Sequence, residues 1–80
     1  AVLVLEREAN ERARGAPIRA VLAGYGVTCD AYRITDERPD ADGAARAMSL
    51  ALRDAGATAR DVQYVNAHGT GTAMNDVLET

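Results

Sequence analysis

The chain has 80 residues and a formal net charge of −3, with 12 acidic residues and 9 basic ones, all of them arginine. Acids and bases are interspersed, and no apolar run approaches the roughly 20 residues of a membrane-spanning helix, so the composition argues against a nucleic-acid binder and a membrane segment. Eighty residues allow one small domain with a modest core. The apolar opening and the helix start at 75–80 predict an internal segment of a longer protein, of low stability by itself.

The first two predicted elements are a strand and a helix. Residues 1–5 form a continuous apolar run, which is typical of a strand buried on both faces of a parallel sheet. Residues 6–14 carry acids early and arginines late, a distribution that complements the helix dipole. We expect Gly15 to end this helix in a left-handed conformation, and Pro17 blocks its continuation.

A second strand and a long polar loop follow. Residues 18–27 indicate a strand in which Gly24 and Gly26 permit a bulge or the close approach of another element. Residues 28–42 reach the upper length of structureless connections, and loops of that length are usually functional or disordered. The single Cys29 allows no internal disulfide, which favours a reducing, cytoplasmic location.

The clearest helical pattern covers residues 43–55. Its small and apolar side chains recur at helical spacing and form one continuous face; they are Ala44, Ala47, Met48, Ala51, Leu52 and Ala55. The alanines predict close packing against a sheet. We expect Asp42 to cap the start of the helix and Gly56 to end it.

The last third of the chain contains a further predicted strand. Residues 58–61, Thr-Ala-Arg-Asp, resemble a capping box with Asp in place of the usual Glu. Residues 62–66 indicate another strand, and residues 75–80 indicate the first turns of a helix. Because strands and helices alternate along the chain, the sequence predicts an α/β fold.

The only histidine of the chain, His68, directly follows the strand predicted at 62–66. In open α/β sheets, ligands bind outside the carboxyl ends of the strands. An imidazole there can donate a hydrogen bond to a developing oxyanion, or act as general acid or base, which makes His68 the candidate catalytic residue. A packed structural histidine is the alternative. Gly69 and Gly71 favour the catalytic interpretation, because glycines let a substrate approach closely.

Hydroxyl and carboxyl side chains lie close to His68 in the sequence. Thr70 and Thr72 alternate, so in an extended segment their hydroxyls face the same side and can bind an amide-bearing ligand; ordinary turn hydrogen bonds are the alternative. The chain has no lysine, which excludes a phosphate-binding loop of the Gly-x-x-x-x-Gly-Lys type. Asp76 and Glu79 share one face of the final helix, where they cap it, remain solvated or support His68.

Neither a cysteine nucleophile nor a metal site is expected. Cys29 is interpreted as a small apolar filler, because nothing near it in the sequence lowers the pKa of its thiol. One cysteine and one histidine do not make a zinc site.

The stretch from Tyr64 to Thr72, Tyr-Val-Asn-Ala-His-Gly-Thr-Gly-Thr, is followed by Asn75, Asp76 and Glu79. It resembles the first histidine motif of the β-ketoacyl-acyl-carrier-protein synthases, most closely the synthase II type and its polyketide relatives. The resemblance extends over essentially the whole chain, including the Asp-Ala-Tyr-Arg-Ile-Thr loop that begins at residue 30.

This resemblance implies a thiolase-like fold, built from two similar α/β halves, in which residues 1–16 end the N-terminal half and residues 17–80 begin the C-terminal half. It implies an acyltransferase that performs decarboxylative Claisen condensation of malonyl-acyl-carrier protein with an enzyme-bound acyl chain, in fatty-acid or polyketide biosynthesis. The implied partners are acyl carrier protein and a second ketosynthase subunit, in a homodimer or heterodimer. No cofactor is expected beyond the phosphopantetheine that carries the substrates.

The resemblance also implies roles for individual residues. His68 corresponds to the histidine that hydrogen-bonds the malonyl thioester carbonyl and assists decarboxylation. Thr70 and Thr72 correspond to threonines that bind the phosphopantetheine arm. Glu79 corresponds to a carboxylate that pairs with a lysine further along the chain, and Asn66 lies where some members hold a monovalent cation.

A mobile loop of the family gates the active-site entrance, and this chain matches it with Asp30, Ala31, Tyr32 and Thr35. The nucleophilic cysteine of the family lies before residue 1, and its second histidine and lysine lie after residue 80. The chain alone is therefore expected to be inactive, and Cys29 does not take the nucleophile's role.

Two other functions stay open at this point. A chain-length factor, a non-condensing partner subunit of a polyketide synthase, shares the fold but lacks the cysteine, and that position lies outside the chain. A general α/β binding module with a structural histidine is the other alternative, and the joint occurrence of the loop and the histidine motif disfavours it.

Overall fold

The computed structural model describes residues 1–33 and 38–80. Within these ranges the chain forms three α-helices and one 3₁₀ turn: α1 spans Glu8–Ala13, α2 spans Asp42–Asp54, the 3₁₀ turn spans Ala59–Asp61 and α3 spans Ala73–Glu79. The three predicted helices are confirmed, and their ends differ from the prediction by one or two residues, as terminal turns commonly do.

Glycine ends both α1 and α2 as predicted. Gly15 has φ +71° and Gly56 has φ +64°. After α2, the N–H of Gly56 donates to the Arg53 carbonyl at 3.1 Å and the N–H of Ala57 donates to the Leu52 carbonyl at 2.9 Å. The equivalent pair of hydrogen bonds closes α1. This is the Schellman arrangement, in which a left-handed residue lets two following N–H groups satisfy the last carbonyls of a helix.

The start of α2 differs from the prediction that Asp42 caps the helix. Asp42 is the first helical residue, and the N-cap is Ala41, which has φ +53° and makes no side-chain capping bond. The missing acceptor comes from Asp40, whose Oδ1 accepts the N–H of Asp42 at 3.2 Å. The Asp42 carboxylate pairs one turn later with Arg46 at 3.3 Å. Two aspartates two residues apart both suit a helix start, so the sequence did not separate them.

The capping box predicted at residues 58–61 is confirmed. The Oδ2 atom of Asp61 accepts both the backbone N–H and the hydroxyl of Thr58, each at 2.8 Å. These two bonds, the backbone one first, hold the pKa of Asp61 below its usual value. The box fixes the 3₁₀ turn that leads the chain from α2 into residues 62–66.

The backbone of residues 24–28 lies directly along α2. A Cβ atom on Gly24 would come within 2.7 Å of the Ala55 nitrogen, and one on Gly26 within 2.8 Å of the Ala51 nitrogen. Thr28 then donates its hydroxyl to the Gly43 carbonyl at 2.7 Å. Each two-residue step along the segment meets a position about four residues earlier in the helix, because two extended residues and one helical turn both cover roughly 6 Å. The segment therefore runs antiparallel to α2, and the close approach that Gly24 and Gly26 permit is confirmed.

The contact face of α2 is narrower than the predicted one. Ala47, Ala51 and Ala55 lie four residues apart and are half-buried, and Gly43 in the same row is buried. Met48, which the predicted face included, is 55% exposed, and Ala44 is exposed as well. Leu52, beside that row, is half-buried as well, so the shielded face consists of the row covered by the extended segment and this one neighbour.

The three predicted strands are not seen in the part of the chain that the structure describes. Residues 1–5, 18–27 and 62–66 are assigned to neither helix nor paired strand there. Strands are defined by hydrogen bonds to a neighbouring strand, and these segments leave large apolar side chains in solvent, with Val4 93% exposed. The α/β class stays a prediction from the sequence.

The described residues contain no buried apolar side chain. The radius of gyration is 16.1 Å, whereas a compact domain of this length has about 12 Å. Apolar burial is the main term that offsets the conformational entropy of an ordered chain. The geometry of this chain, taken alone, therefore depends on local hydrogen bonds and on the contact between residues 24–28 and α2.

We expect the isolated 80-residue chain to unfold without a cooperative transition, because it has no apolar core to melt. Circular dichroism at 222 nm, followed from 5 to 90 °C, should show a gradual slope rather than a sigmoid. A sharp, reversible transition whose midpoint agrees between circular dichroism and tyrosine fluorescence would contradict the expected lack of cooperativity.

Candidate active site

Helix α3 begins directly after residues 68–72, which we call the histidine loop, and fixes the far end of that loop. Thr72 is the N-cap of α3, and its hydroxyl oxygen accepts the N–H of Asn75 at 3.3 Å. At the other end of the helix, the Thr80 hydroxyl donates to the Asp76 carbonyl at 2.7 Å. The capped helix holds Glu79 on its last turn, from where its side chain returns to the loop that precedes the helix.

The Glu79 carboxylate holds the backbone of the histidine loop with both oxygens. Oε1 accepts the N–H of His68 at 2.6 Å, and Oε2 accepts the N–H of Gly69 at 2.9 Å. Oε2 also accepts a hydrogen bond from the side-chain amide of Asn75 at 2.8 Å. We call this group of four residues the Glu79 clamp. Charge-assisted bonds of this kind are short and stronger than neutral ones.

The three hydrogen bonds of the clamp hold the pKa of Glu79 below its usual value. The N–H of Gly69 contributes most, and the N–H of His68 and the Asn75 amide act in the same direction, whereas desolvation opposes them. Each of these donors stabilises the ionised carboxylate. Glu79 is therefore charged at neutral pH, with both oxygens available as acceptors.

The glycines on either side of Thr70 turn the chain between His68 and α3. Gly69 has φ +61° and Gly71 has φ +71°, a region that L side chains rarely adopt. The hydroxyl oxygens of Thr70 and Thr72 lie 3.1 Å apart and share a hydrogen bond. The sequence correctly placed these two hydroxyls on one side, but the reason differs, because the turn at Gly71 brings them together rather than an extended alternation.

His68 is exposed, and the clamp binds its backbone rather than its ring. Among the described residues, no hydrogen bond joins either ring nitrogen to the protein. The imidazole can thus donate a hydrogen bond to, or exchange a proton with, a group outside the clamp while its backbone stays fixed. The two threonine hydroxyls, two and four residues further along the chain, add polar groups beside it.

A second polar cluster lies where the predicted entrance loop leaves residues 24–28. A Cβ atom on Gly43 would collide with the carboxylate of Asp30, which therefore packs directly on the first turn of α2. Oδ2 of Asp30 accepts the N–H of Arg38 at 3.2 Å. One carboxylate thus joins Arg38, the first residue described after position 37, to the first turn of α2.

Arg38 and Asp40 extend this second cluster towards α2. The guanidinium of Arg38 pairs with Asp40 at 2.7 Å. This hydrogen bond, together with the N–H of Asp42, lowers the pKa of Asp40 to about 2. Both side chains are about half exposed, so solvent screens the pair and its contribution to stability is small.

The structure places the remaining predicted loop residues as follows. Ala31 has φ +49°, the left-handed region that is rare for alanine. Tyr32 is exposed, and the guanidinium carbon of Arg33 lies 5.4 Å from its ring centroid. Thr35 lies outside the described residues. No described contact joins this loop to the Glu79 clamp.

Two further sequence candidates stay outside both clusters. Asn66 accepts a long, 3.5 Å hydrogen bond from the Tyr64 hydroxyl. Cys29 is exposed and has a free thiol, so the interpretation as a small apolar filler is wrong for this chain. Residues 1–33 and 38–80 contain no cluster of three or more His, Cys, Asp or Glu side chains suited to a metal ion. None of their helices is long and apolar enough to cross a bilayer.

Asn75 is the residue of the clamp that sequence reasoning did not single out. It is the buried polar residue among those described, with 9% of its surface exposed. Two spacings could have found it: Asn75 lies three residues after the N-cap Thr72 and four residues before Glu79, which places the two side chains on one helix face.

Comparison with known proteins identifies the relatives of this arrangement. Residues 19–80 match the family described as "Beta-ketoacyl synthase, C-terminal domain". A protein named 3-oxoacyl-[acyl-carrier-protein] synthase 2 from Synechocystis sp. is 51% identical over 79 residues, which is 99% of this chain and 19% of that protein. A protein of the same name from Staphylococcus aureus is 50% identical over 78 residues, again covering 19% of its length.

A solved structure supports the same relationship. It is a ketosynthase bound to the hexaketide, in complex with its type II PKS acyl-carrier protein. The two structures superpose with a TM-score of 0.86 at 42% sequence identity, over 92% of this chain and 18% of that chain. This chain therefore shares the thiolase-like fold of the ketosynthases, and it spans about a fifth of the length of the curated relatives it matches.

Acid should release the histidine loop. Because the pKa of Glu79 is lowered in the folded chain, its ionised form stabilises the clamp. This stabilisation is complete above the ordinary pKa of 4.5, and it is lost as pH falls through the lower folded pKa. We expect hydrogen exchange of a peptide covering residues 66–72, corrected for intrinsic rates, to accelerate in that acidic range. A suitable protein is a complete synthase in which this chain replaces the homologous segment of the Synechocystis relative.

In the same synthase, Glu79→Gln should give fast exchange already at pH 7, since a neutral amide offers one acceptor oxygen to two N–H donors. A peptide covering residues 43–54 of α2 serves as the internal control for general unfolding. Exchange of residues 66–72 that is independent of pH between 3 and 7 in the parent synthase would contradict the role of the carboxylate.

Proposed function

Since the chain belongs to the β-ketoacyl synthase family, we propose that it forms part of a β-ketoacyl-acyl-carrier-protein synthase. The proposed reaction is decarboxylative Claisen condensation, in which malonyl-acyl-carrier protein loses CO₂ and its carbanion attacks an acyl thioester held on the enzyme. The pathway is fatty-acid or polyketide biosynthesis. The observation that carries the proposal is the Glu79 clamp, which fixes the backbone of His68 and leaves the imidazole free for the substrate.

His68 is the proposed hydrogen-bond donor to the malonyl thioester carbonyl. As the C–C bond to the departing CO₂ breaks, its electron pair enters an enolate and negative charge grows on that carbonyl oxygen. A donor held at this position before the reaction stabilises the transition state more than the ground state. The two bonds from Glu79 to the backbone support this role, because they reduce the reorganisation that the loop needs.

Thr70 and Thr72 are the proposed contacts to the phosphopantetheine arm of the substrate. The arm carries amide groups along its length, and hydroxyls can both donate to and accept from amides. The 3.1 Å separation of the two hydroxyl oxygens supports a joint binding role. Thr72 keeps a second task as N-cap of α3, so its hydroxyl couples the arm to the helix that carries Glu79.

We extend the proposal to partners, location and fold. The partners are acyl carrier protein and a second ketosynthase subunit, with phosphopantetheine as the carrier of substrate and no separate cofactor. Asp30, Ala31, Tyr32 and Thr35 contribute to a loop at the site entrance, which the anchoring of Asp30 on Gly43 supports. The exposed free thiol of Cys29 supports a reducing, cytoplasmic location.

We also propose how the chain divides within the complete fold. Residues 1–16 end the N-terminal half and residues 17–80 begin the C-terminal half. Residues 1–5, 18–27 and 62–66 become sheet strands once neighbouring strands are present, which their apolar character and solvent-exposed side chains support. Asn66 is the proposed neighbour of a monovalent cation found in some family members.

His68→Ala in the complete synthase should lower the rate of malonyl decarboxylation by about 10²-fold or more, the range typical of losing one oxyanion donor. Acyl transfer from acyl carrier protein to the synthase should change little, because His68 is assigned to the malonyl step. Release of ¹⁴CO₂ from labelled malonyl-acyl-carrier protein measures the first step, and mass spectrometry of the acylated synthase measures the second. Parental decarboxylation in the variant would refute the assigned role.

Thr70→Val should raise the KM for malonyl-acyl-carrier protein several-fold with a smaller change in kcat, because it removes a hydroxyl while keeping the side-chain shape. A bound hydroxyl is worth about 1 kcal/mol. Thr58→Val is the matched control, since it removes the hydroxyl of the residue that caps the 3₁₀ turn, outside residues 68–72. A parental KM in Thr70→Val would count against pantetheine contact.

The chain-length factor remains the alternative to a condensing enzyme. The intact His-Gly-Thr-Gly-Thr segment with its clamp supports the condensing enzyme. A chain-length factor lacks the nucleophilic cysteine, so acyl transfer from acyl carrier protein to the natural full-length protein that carries this chain, rather than to the Synechocystis hybrid, separates these two functions.

A further inference from the structure

We propose that Asn75 is a positioning residue for His68, acting through Glu79; the inference rests on the proposed function of this site. Asn75 donates from its side-chain amide to Oε2 of Glu79 at 2.8 Å, and Oε2 also accepts the N–H of Gly69. A buried side chain thereby fixes the carboxylate that fixes the histidine loop. Asn75 touches no reacting atom, so its contribution is geometric.

Because Asn75 is buried, its hydrogen bond to Glu79 is less exposed to competition from water than the other bonds of the clamp. Asn75 is 9% exposed, whereas Glu79 and His68 are exposed. An exposed glutamate has three rotatable side-chain bonds, and holding it in one rotamer costs conformational entropy. The neighbouring amide on the same helix face offsets that cost and selects the rotamer in which both oxygens meet the loop.

The orientation of the Asn75 amide follows from the chemistry of its partner. The ionised carboxylate of Glu79 only accepts hydrogen bonds, so the NH₂ group of Asn75 must face it and the amide oxygen must face away. The backbone N–H of Asn75 is already bound to Thr72 Oγ1. Asn75 therefore joins the capped start of α3 to its last turn, and the loop geometry depends on both.

Replacing the amide by an isosteric carboxyl changes only the chemistry of this contact. In Asn75→Asp, two carboxyl groups face each other across the distance now spanned by the hydrogen bond, and like charges so close disfavour double ionisation. One proton shared by the pair restores a donor, so the contact reforms on acidification. Loss of the contact moves the His68 loop, and misplacement of a catalytic group by about 1 Å can lower a rate by 10²-fold.

The test uses the complete synthase carrying this chain in place of the homologous Synechocystis segment, with CO₂ release from malonyl-acyl-carrier protein as readout. We expect Asn75→Asp to lower kcat about tenfold at pH 8 and to recover towards the parental value at pH 6, with a KM change below twofold. Asn10→Asp, on an exposed position of α1, adds the same charge and should show neither effect.

A double-mutant cycle separates positioning from a purely structural role. If Asn75 acts through Glu79, then Asn75→Asp should cost less than twofold in a Glu79→Gln background, because the target of its hydrogen bond is already altered. Asn75→Ala tests the same contact without added charge and with a good helix former. It should lower kcat without any recovery at pH 6.

Three results would overturn the proposal. The first is an unchanged kcat in both Asn75→Asp and Asn75→Ala, and the second is a loss of kcat that is additive with Glu79→Gln and independent of pH. The third is insolubility of both Asn75 variants, which would assign Asn75 to folding alone. A parental synthase that releases no CO₂ would instead refute the proposed function. The rate at which diethyl pyrocarbonate modifies His68, read by mass spectrometry, then tests the same cycle without catalysis, and equal rates in all variants would overturn the positioning role.

Discussion

The geometry of the site depends on a single carboxylate that bonds to backbone rather than to side chains of the histidine loop. Glu79 reaches back across eleven residues to the N–H of His68 and ten to that of Gly69. The loop between them contains two residues with positive φ, Gly69 and Gly71, a shape that needs an external acceptor because its own N–H groups have no regular partner. Removal of the carboxylate would leave these two N–H groups to solvent and free the backbone that carries the imidazole.

The same device recurs through the described chain and explains how it keeps a defined geometry with no buried apolar side chain. Five acidic side chains accept backbone N–H groups: Asp30, Asp40, Asp54, Asp61 and Glu79. Three of these acceptors, Asp30, Asp40 and Asp54, lie in α2 or pack beside its first turn. The close approach of Gly24 and Gly26 to the alanines of α2 adds a steric contact to these bonds. These exposed bonds fix local shape, but solvent screens them and they do not make unfolding cooperative.

The sequence predicted the parts of this structure that local rules determine. Gly15 and Gly56 end helices, Thr58 and Asp61 form a capping box, and small residues mark where residues 24–28 meet α2; each follows from interactions within a few residues or from simple steric fit. Asp42 was wrong as a cap because an equivalent acceptor lies two residues away. The pattern within residues 1–5, 18–27 and 62–66 could not establish strands, because strand pairing depends on neighbouring strands that are distant in the sequence. The histidine motif predicted roles for His68, Thr70, Thr72 and Glu79. It included Asn75 without a role, because an asparagine in a helix has many uses and only its burial distinguishes this one.

The way the clamp holds His68 bears on what the imidazole can do. A carboxylate bonded to a ring nitrogen favours the imidazolium and selects one tautomer. Glu79 binds the backbone instead, so it fixes the point from which the ring projects, and no hydrogen bond joins either ring nitrogen to the described residues. Glu79 and Asn75 thus hold the backbone that carries His68, and the ring stays available as a hydrogen-bond donor.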